Sequence, residues 1–201
     1  MKNVLMGFAL LAIGSVYSAS ASTVQFNTNN SQLCVGAFGC SSQTVSFGTL
    51  TLTYDPFTSG LLDASPLAAT NFGSLTLACT GSGTTCAQST IAAGTNLYLR
   101  FTQVLPEAGN GSINSSSIIG TIGGNGGSAS ISWSVLTNDI ITANFTTRYS
   151  VSNSPLNLVT PSGGGTTTIQ GTVSNVVPEP ATYAMLGSAL IGLGLLRRRK
   201  A

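Results

Sequence analysis

Apolar residues in the middle of this chain recur at every second position, and this spacing restricts the fold more than any other feature. In Thr44 to Tyr54 (TVSFGTLTLTY), apolar side chains alternate with Ser and Thr, and Gly48 shifts the alternation to the other face, as a β-bulge would. No helical period of useful length is found before the C-terminal tail. The pattern therefore predicts an all-β domain.

Further segments carry the same strand-like pattern and are separated by clusters of turn-forming residues. These segments are Thr23 to Thr28, Gly73 to Cys79, Asn96 to Val104, Ser115 to Ile122, Ala129 to Thr137, Ile140 to Val151 and Thr166 to Val173. Asn138-Asp139 separates two alternating runs by two residues, which is the spacing of a tight hairpin. Short strands with regular turns are typical of a single β-sandwich, either jelly-roll or immunoglobulin-like, which we predict for residues 22–176.

A single tryptophan lies within one of these runs. Trp133 alternates with Ile131 and Val135, while serines occupy the positions between them. This row predicts that Trp133 fills the core of the domain, and a sugar-stacking platform is the alternative for an aromatic side chain of this size.

Charged residues are sparse between residues 22 and 176, although the whole chain has a formal net charge of +2. This segment contains two arginines and four acids, namely Arg100, Arg148, Asp55, Asp63, Glu107 and Asp139. Neutralising phosphates requires clustered Lys and Arg, so we expect no nucleic-acid partner.

Residues capable of acid–base catalysis are equally few, because the chain has no His. Asp55 and Asp63 lie eight positions apart across a turn, which would suit a carbohydrate-hydrolysing pair, whereas turn capping is the alternative. Calcium would use the same two residues with Asp139, but so few acids make a poor cage. Gly123 to Gly127 (GGNGG) lacks the strand and helix of a phosphate loop and predicts a turn. We therefore expect no enzyme activity, no metal and no cofactor.

The four cysteines form two close pairs along the chain. Cys34 and Cys40 enclose five residues, and Cys79 and Cys86 enclose six, so two local disulfides are the simplest of the three possible connectivities. A zinc site is the alternative, but the chain lacks His and Cys-x₂-Cys spacing.

The N-terminus has the pattern of a secretory signal peptide. A short basic region begins at Lys2, Val4 to Val16 is apolar, and Ala19-Ser20-Ala21 provides a small-x-small cleavage site at Ala19 and Ala21. We predict a signal peptide over residues 1–21 and a mature N-terminus at Ser22, and a permanent N-terminal anchor is the alternative. Export to an oxidising compartment would favour the two disulfides.

The C-terminus predicts a short membrane-spanning helix. Val177-Pro178-Glu179-Pro180 leads into the apolar run Ala181 to Leu196, and Arg197-Arg198-Arg199-Lys200 follows. Pro178 and Pro180 prevent a helix from continuing back into the domain. The run would span roughly 24 Å at 1.5 Å per residue, and arginines can snorkel to reach the interface. The basic residues should stay in the cytoplasm, and a buried core helix is the alternative.

This combination of a Pro-Glu-Pro motif, an apolar helix and a basic plug resembles the PEP-CTERM sorting signal. Exosortase, a membrane-embedded transpeptidase-like cysteine protease, recognises that signal in Gram-negative bacteria that make exopolysaccharide. The resemblance implies that residues 177–201 are a sorting signal with Val177, Pro178, Glu179 and Pro180 as its motif and Arg197, Arg198, Arg199 and Lys200 as its plug. It also implies an intermediate anchored in the inner membrane and then release to the cell surface or the extracellular space.

Two functions are compatible with such an exported domain. The resemblance favours a structural or adhesive component of an exopolysaccharide biofilm or floc. The alternative is a dedicated binding module for a glycan or for ice, because similar tails occur on proteins labelled ice-binding. Thr49, Thr51 and Thr53 form a period-two row, but an ice-binding face needs several rows in register.

Overall fold

The structure is a computed structural model that describes residues 23–58, 60–64, 67–81 and 83–176. The predicted signal peptide and the predicted sorting tail lie outside these residues, as does Ser22. The described residues form strands and one 3-10 turn at Pro161–Gly163. The strands are β1 (Thr23–Asn27), β2 (Gln32–Val35), β3 (Thr44–Phe47), β4 (Leu50–Asp55), β5 (Gly60–Asp63), β6 (Ala68–Cys79), β7 (Ser89–Thr90), β8 (Thr95–Leu105), β9 (Gly109–Asn114), β10 (Ile119–Ile122), β11 (Gly127–Ile131), β12 (Thr137–Ile141), β13 (Thr146–Val151), β14 (Leu156–Asn157) and β15 (Thr166–Val176).

The strands form three antiparallel sheets. Sheet A has the order β2-β8-β1-β5, and β9 pairs with the other edge of β8. Sheet B has six strands in the order β12-β13-β15-β6-β4-β3, and sheet C has four in the order β14-β11-β10-β7. In β4, β8 and much of β15, buried residues alternate with more exposed ones, because one face of each sheet packs on the core.

The core is aromatic where sheets A and B meet. Phe26 of β1 lies 5.9 Å from Phe72 of β6 and 5.2 Å from Tyr149 of β13, measured between ring centroids. Phe101 of β8 stacks on Tyr149 at 4.6 Å. Such pairs contribute roughly 0.5–1.5 kcal/mol each beyond the burial of their area. These rings therefore hold the inner faces of the two sheets together.

Two tyrosine hydroxyl groups also link sheet B to sheet A, one through a residue of β8 and one through the residue that follows β1. The Tyr149 hydroxyl donates to Oε1 of Gln103 at 2.8 Å. The Tyr54 hydroxyl lies 2.7 Å from Oγ1 of Thr28 and 2.6 Å from the carbonyl oxygen of Phe72. Burial raises the pKa of Tyr54 to about 12 and raises the pKa of Tyr149 as well. Both hydroxyl groups thus satisfy polar atoms inside an otherwise apolar core.

The all-β prediction is confirmed, but the bulge predicted at Gly48 is wrong. Gly48 and Thr49 form a two-residue turn between β3 and β4, and Phe47 pairs with Leu50 across it. Gly48 has a φ of +57°. Tight hairpin turns favour glycine where φ is positive, so the residue that predicted a bulge ends one strand and starts the next.

The hairpin predicted at Asn138-Asp139 is also wrong, because both residues lie inside β12. Asp139 is the cross-strand partner of Arg148 in β13, and the two side chains form an ion pair. The turn comes later, where the backbone N–H of Thr142 donates to the carbonyl oxygen of Phe145 at 2.9 Å.

The predicted core position of Trp133 is confirmed. Its side chain is buried, and its Nε1 donates to the carbonyl oxygen of Asn153 at 3.2 Å. The inward row ends there, since Val135 is 56% exposed. The jelly-roll or immunoglobulin-like sandwich type stays a prediction, as do the domain boundaries.

The sequence predicts an apolar signal peptide at the N-terminus and a membrane-spanning helix at the C-terminus. Within residues 23–58, 60–64, 67–81 and 83–176, no helix is long and apolar enough to cross a bilayer. Both predicted apolar segments fall outside those ranges.

Candidate functional site

The carboxylates considered for catalysis or calcium binding are distributed over two sheets. Asp55 ends β4 in sheet B, and its Oδ2 accepts a hydrogen bond from Oγ1 of Thr76 at 2.6 Å. Asp63 ends β5 in sheet A, opposite Thr23. Asp139 accepts two hydrogen bonds of 2.8 Å from the Arg148 guanidinium. No group of three His, Cys, Asp or Glu side chains in the described part of the chain is placed to hold a metal ion.

Two of the four acids are held in the ionised form. A hydrogen bond from Asn144 lowers the pKa of Glu107, and the hydrogen bond and charge of Arg148 lower the pKa of Asp139. A general acid at neutral pH requires a raised pKa instead. Neither carboxylate is therefore prepared for proton donation.

The cysteines are paired as the sequence predicted. Cys34 bonds to Cys40 and Cys79 bonds to Cys86, with Cα atoms 5.7 and 5.8 Å apart. The first bridge closes a loop after β2, and the second closes a loop after β6. Each bridge therefore fixes a connection at the end of a strand.

The glycine-rich segment Gly123 to Gly127 forms a turn, as predicted. It connects β10 to β11, and the N–H of Gly123 donates to the carbonyl oxygen of Gly126 at 2.7 Å. Gly124 donates to the carbonyl oxygen of Cys86 at 3.1 Å, so the turn packs against the second disulfide loop. A strand follows this turn, whereas a phosphate-binding loop would be followed by a helix.

The outer side of sheet B carries an ordered set of hydroxyl groups, which we call the hydroxyl face. Its members are on four neighbouring strands, β3, β4, β6 and β15, and point away from the core: Thr44, Ser46, Thr51, Thr53, Ser74, Thr76, Thr166 and Thr168. Side chains on this face recur about every 6.6 Å along a strand and about every 4.8 Å between strands. The result is a lattice of hydroxyl groups, and the Asp55 carboxylate at the end of β4 joins it by accepting a hydrogen bond from Thr76.

One row of the hydroxyl face consists of threonine on all four strands. Thr44 pairs with Thr53, Thr53 with Thr76, and Thr76 with Thr166. The Oγ1 atoms of Thr44 and Thr53 share a hydrogen bond of 3.3 Å. A second, shorter row contains Ser46 and Thr51, whose hydroxyl oxygens are also 3.3 Å apart.

The period-two pattern of Thr49, Thr51 and Thr53 in the sequence predicts only part of the hydroxyl face. Thr51 and Thr53 lie on β4 as expected, but Thr49 lies in the turn and donates to the carbonyl oxygen of Ala87 at 3.3 Å. The contributions of Thr76 and Thr166 depend on the pairing of β6 with β4 and β15. A local pattern gives no signal for the register between strands so distant in the sequence.

The predicted sorting tail agrees with a known family of sorting signals. The family model of the PEP-CTERM protein-sorting motif matches residues 176–200. Neither a curated protein nor a solved structure matches the chain. The match includes the Pro-Glu-Pro motif and the basic residues, whose individual roles stay predictions.

The chain is therefore an exported protein with a C-terminal sorting signal. It is a PEP-CTERM domain-containing protein, and its motif implies sorting by exosortase and processing at the cell envelope. Val176 is both the last residue of β15 and the first residue of the match. The sorting signal thus follows directly from an inner strand of sheet B.

Proposed function

We propose that this protein is a structural or adhesive component of the exopolysaccharide biofilm or floc of a Gram-negative bacterium. The observation that carries the proposal is the sorting motif at residues 176–200, which continues from β15. Through this tail, the precursor is anchored in the inner membrane and is then released by exosortase to the cell surface or the matrix. The folded domain, predicted for residues 22–176 and called the body below, is the part of the protein that this sorting step delivers.

The body acts as a scaffold and not as an enzyme in this proposal. It contains no His and no Lys, Asp55 and Asp63 lie on different sheets, and the pKa values of Glu107 and Asp139 are lowered. Such a set offers little means of activating a nucleophile.

Sheets A and B form the two layers of a β-sandwich in this scaffold. Their inner faces share the aromatic core, so the outer face of sheet B is the side that can contact the matrix. The hydroxyl face can make many weak hydrogen bonds with a hydrated polymer, and the Asp55 carboxylate that accepts from Thr76 places one acidic group beside it.

A comparison of two variants in the native host tests this function. Deleting residues 178–201 should abolish surface display and matrix retention, because the variant lacks its sorting signal. Asp55→Asn combined with Asp63→Asn should leave display and biofilm mass unchanged, and the exported protein should hydrolyse no matrix polysaccharide. Normal display of the truncated protein, or turnover that the double substitution abolishes, would refute the proposal.

Ice binding is a second candidate because of the four-strand threonine row. We propose the hydroxyl face as the surface that would bind ice, since its hydroxyls repeat regularly in two directions. Thr53→Tyr should then reduce inhibition of ice recrystallisation several-fold.

Thr121→Tyr is the matched control for that experiment. Thr121 is exposed on sheet C, where its Oγ1 lies 3.0 Å from that of Thr90, so it is also a hydrogen-bonded cross-strand threonine. This variant should retain wild-type inhibition. Absence of inhibition by the unmodified protein would eliminate the ice-binding candidate.

A further inference from the structure

The outer face of sheet A differs from the hydroxyl face because it presents an arginine with aromatic neighbours. Arg100 and Tyr98 point outward from β8, and Phe38 lies in the loop closed by the Cys34–Cys40 disulfide. The Cζ atom of Arg100 is 4.5 Å from the centroid of the Phe38 ring. The Phe38 ring lies edge-on to that of Tyr98 at 5.1 Å.

The Arg100 guanidinium is oriented but has no polar partner. In the described part of the chain, its side chain takes part in no ion pair or hydrogen bond, whereas Arg148 is bound by Asp139. Stacking on Phe38 limits the positions of the planar group and leaves its N–H donors unused. A planar guanidinium with free donors matches the two oxygens of a carboxylate.

Neutral polar side chains surround this cation. Two surface depressions share Arg100 and Asn30, and they extend to Gln43 on one side and to Asn110 on the other. Amide groups both donate and accept hydrogen bonds, so they suit the hydroxyl groups of a sugar. Nε2 of Gln43 already donates to the carbonyl oxygens of Asn29 and Ser31, so Gln43 would contribute its Oε1 as an acceptor. Phe38 is 48% exposed and offers an apolar surface to the C–H face of a sugar ring.

We propose that this surface, defined by Phe38, Tyr98, Arg100, Asn30, Gln43 and Asn110, binds a uronic acid unit of an acidic polysaccharide. Arg100 binds the carboxylate, Phe38 contacts the sugar ring, and the amides bind its hydroxyl groups. The inference rests on the proposed role in an exopolysaccharide matrix and adds the ligand class and the site.

Polygalacturonate is the probe that tests this site, with the exported protein in calcium-free buffer and calorimetry as the measurement. Methyl-esterified polygalacturonate is the matched ligand, because it keeps the sugar and removes the charge. Arg100→Gln should weaken binding roughly tenfold, since a hydrogen-bonded charge is lost. Arg100→Lys should give an intermediate affinity because it keeps the charge but loses the planar fork.

Arg148→Gln is the control variant, since it removes the other arginine of the body from a different sheet. It should bind polygalacturonate as tightly as the unmodified protein, and Phe38→Leu should bind several-fold more weakly. Equal thermal midpoints for the Arg100 variants and the unmodified protein would show that folding is intact.

Several results would overturn the assignment. These are absence of binding to polygalacturonate, equal binding of the methyl ester, unchanged affinity in Arg100→Gln, or tighter binding of dextran sulfate. Matrix retention is measured separately in the host. Retention without polygalacturonate binding would refute this site alone, whereas binding without retention would refute the matrix role.

Discussion

Close packing at a single glycine limits what the centre of sheet B tolerates. Gly171 lies on β15, and a Cβ atom added there would overlap the ring of Phe72, which is fully buried. The ring contacts Phe26, Phe101 and Tyr149, so it cannot move aside without disturbing the aromatic core.

Gly171→Ala should therefore lower the free energy of unfolding by about 1–3 kcal/mol, as overpacking does in a dense core. Urea titration measures the change. Gly81→Ala is the control, because a Cβ at exposed Gly81 would meet no atom within 4 Å. Equal stability of the two variants would show that the Phe72 ring has room to shift.

Burial of Tyr54 makes the protein sensitive to alkaline pH. Its pKa is about 12 in the folded protein and about 10 in an unfolded chain. Tyr54 therefore contributes its full stabilisation below pH 10, and this contribution is lost as the pH rises from 10 towards 12. The expected slope is about 1.4 kcal/mol per pH unit.

Unfolding free energies measured at pH 9 and pH 11 should show this loss, together with a contribution from Tyr149. Tyr54→Phe should reduce the slope because its ring cannot ionise. If Tyr54→Phe and the unmodified protein lost the same free energy between those pH values, the buried hydroxyl would not be the cause.

At the scale of elements, the sequence predicted which face of a strand is buried more accurately than it predicted the residue at which the strand ends. β4 and β8 alternate as expected, because that periodicity follows directly from the pleat of a strand. Gly48 failed as a bulge signal because a tight turn and a bulge both favour a glycine with positive φ. Asn138 and Asp139 are turn formers by propensity, but both pair with β13, and Asp139 also forms an ion pair with its cross-strand partner Arg148.

Each disulfide should stabilise its loop without determining the fold. Replacing Cys79 and Cys86 together with Ala should cost roughly 2 kcal/mol, since the closed ring is small, and the Cys34–Cys40 pair should behave alike. The variants should keep the β-sheet circular dichroism of the unmodified protein. A non-reducing peptide map that showed crossed pairs or free thiols would contradict the connectivity.

At the scale of the whole molecule, the sequence predicted the sorting signal but did not predict the candidate binding surfaces. The sorting tail consists of consecutive residues, so its motif can be recognised from residue order alone. The family match at residues 176–200 confirms the motif. The threonine row combines β3, β4, β6 and β15, and Phe38 meets Arg100 only when the disulfide loop lies beside β8. Such sites depend on long-range pairing, which residue spacing does not show.

Mass spectrometry of the terminal peptides of the exported protein tests the central claim most directly. The measurement uses material recovered from the cell surface and the matrix, so it reports the form that has passed the sorting step. We predict an N-terminus at Ser22 and loss of the residues that follow the Pro178-Glu179-Pro180 region. Recovery of an intact Arg197 to Ala201 end from that material would contradict sorting through the tail.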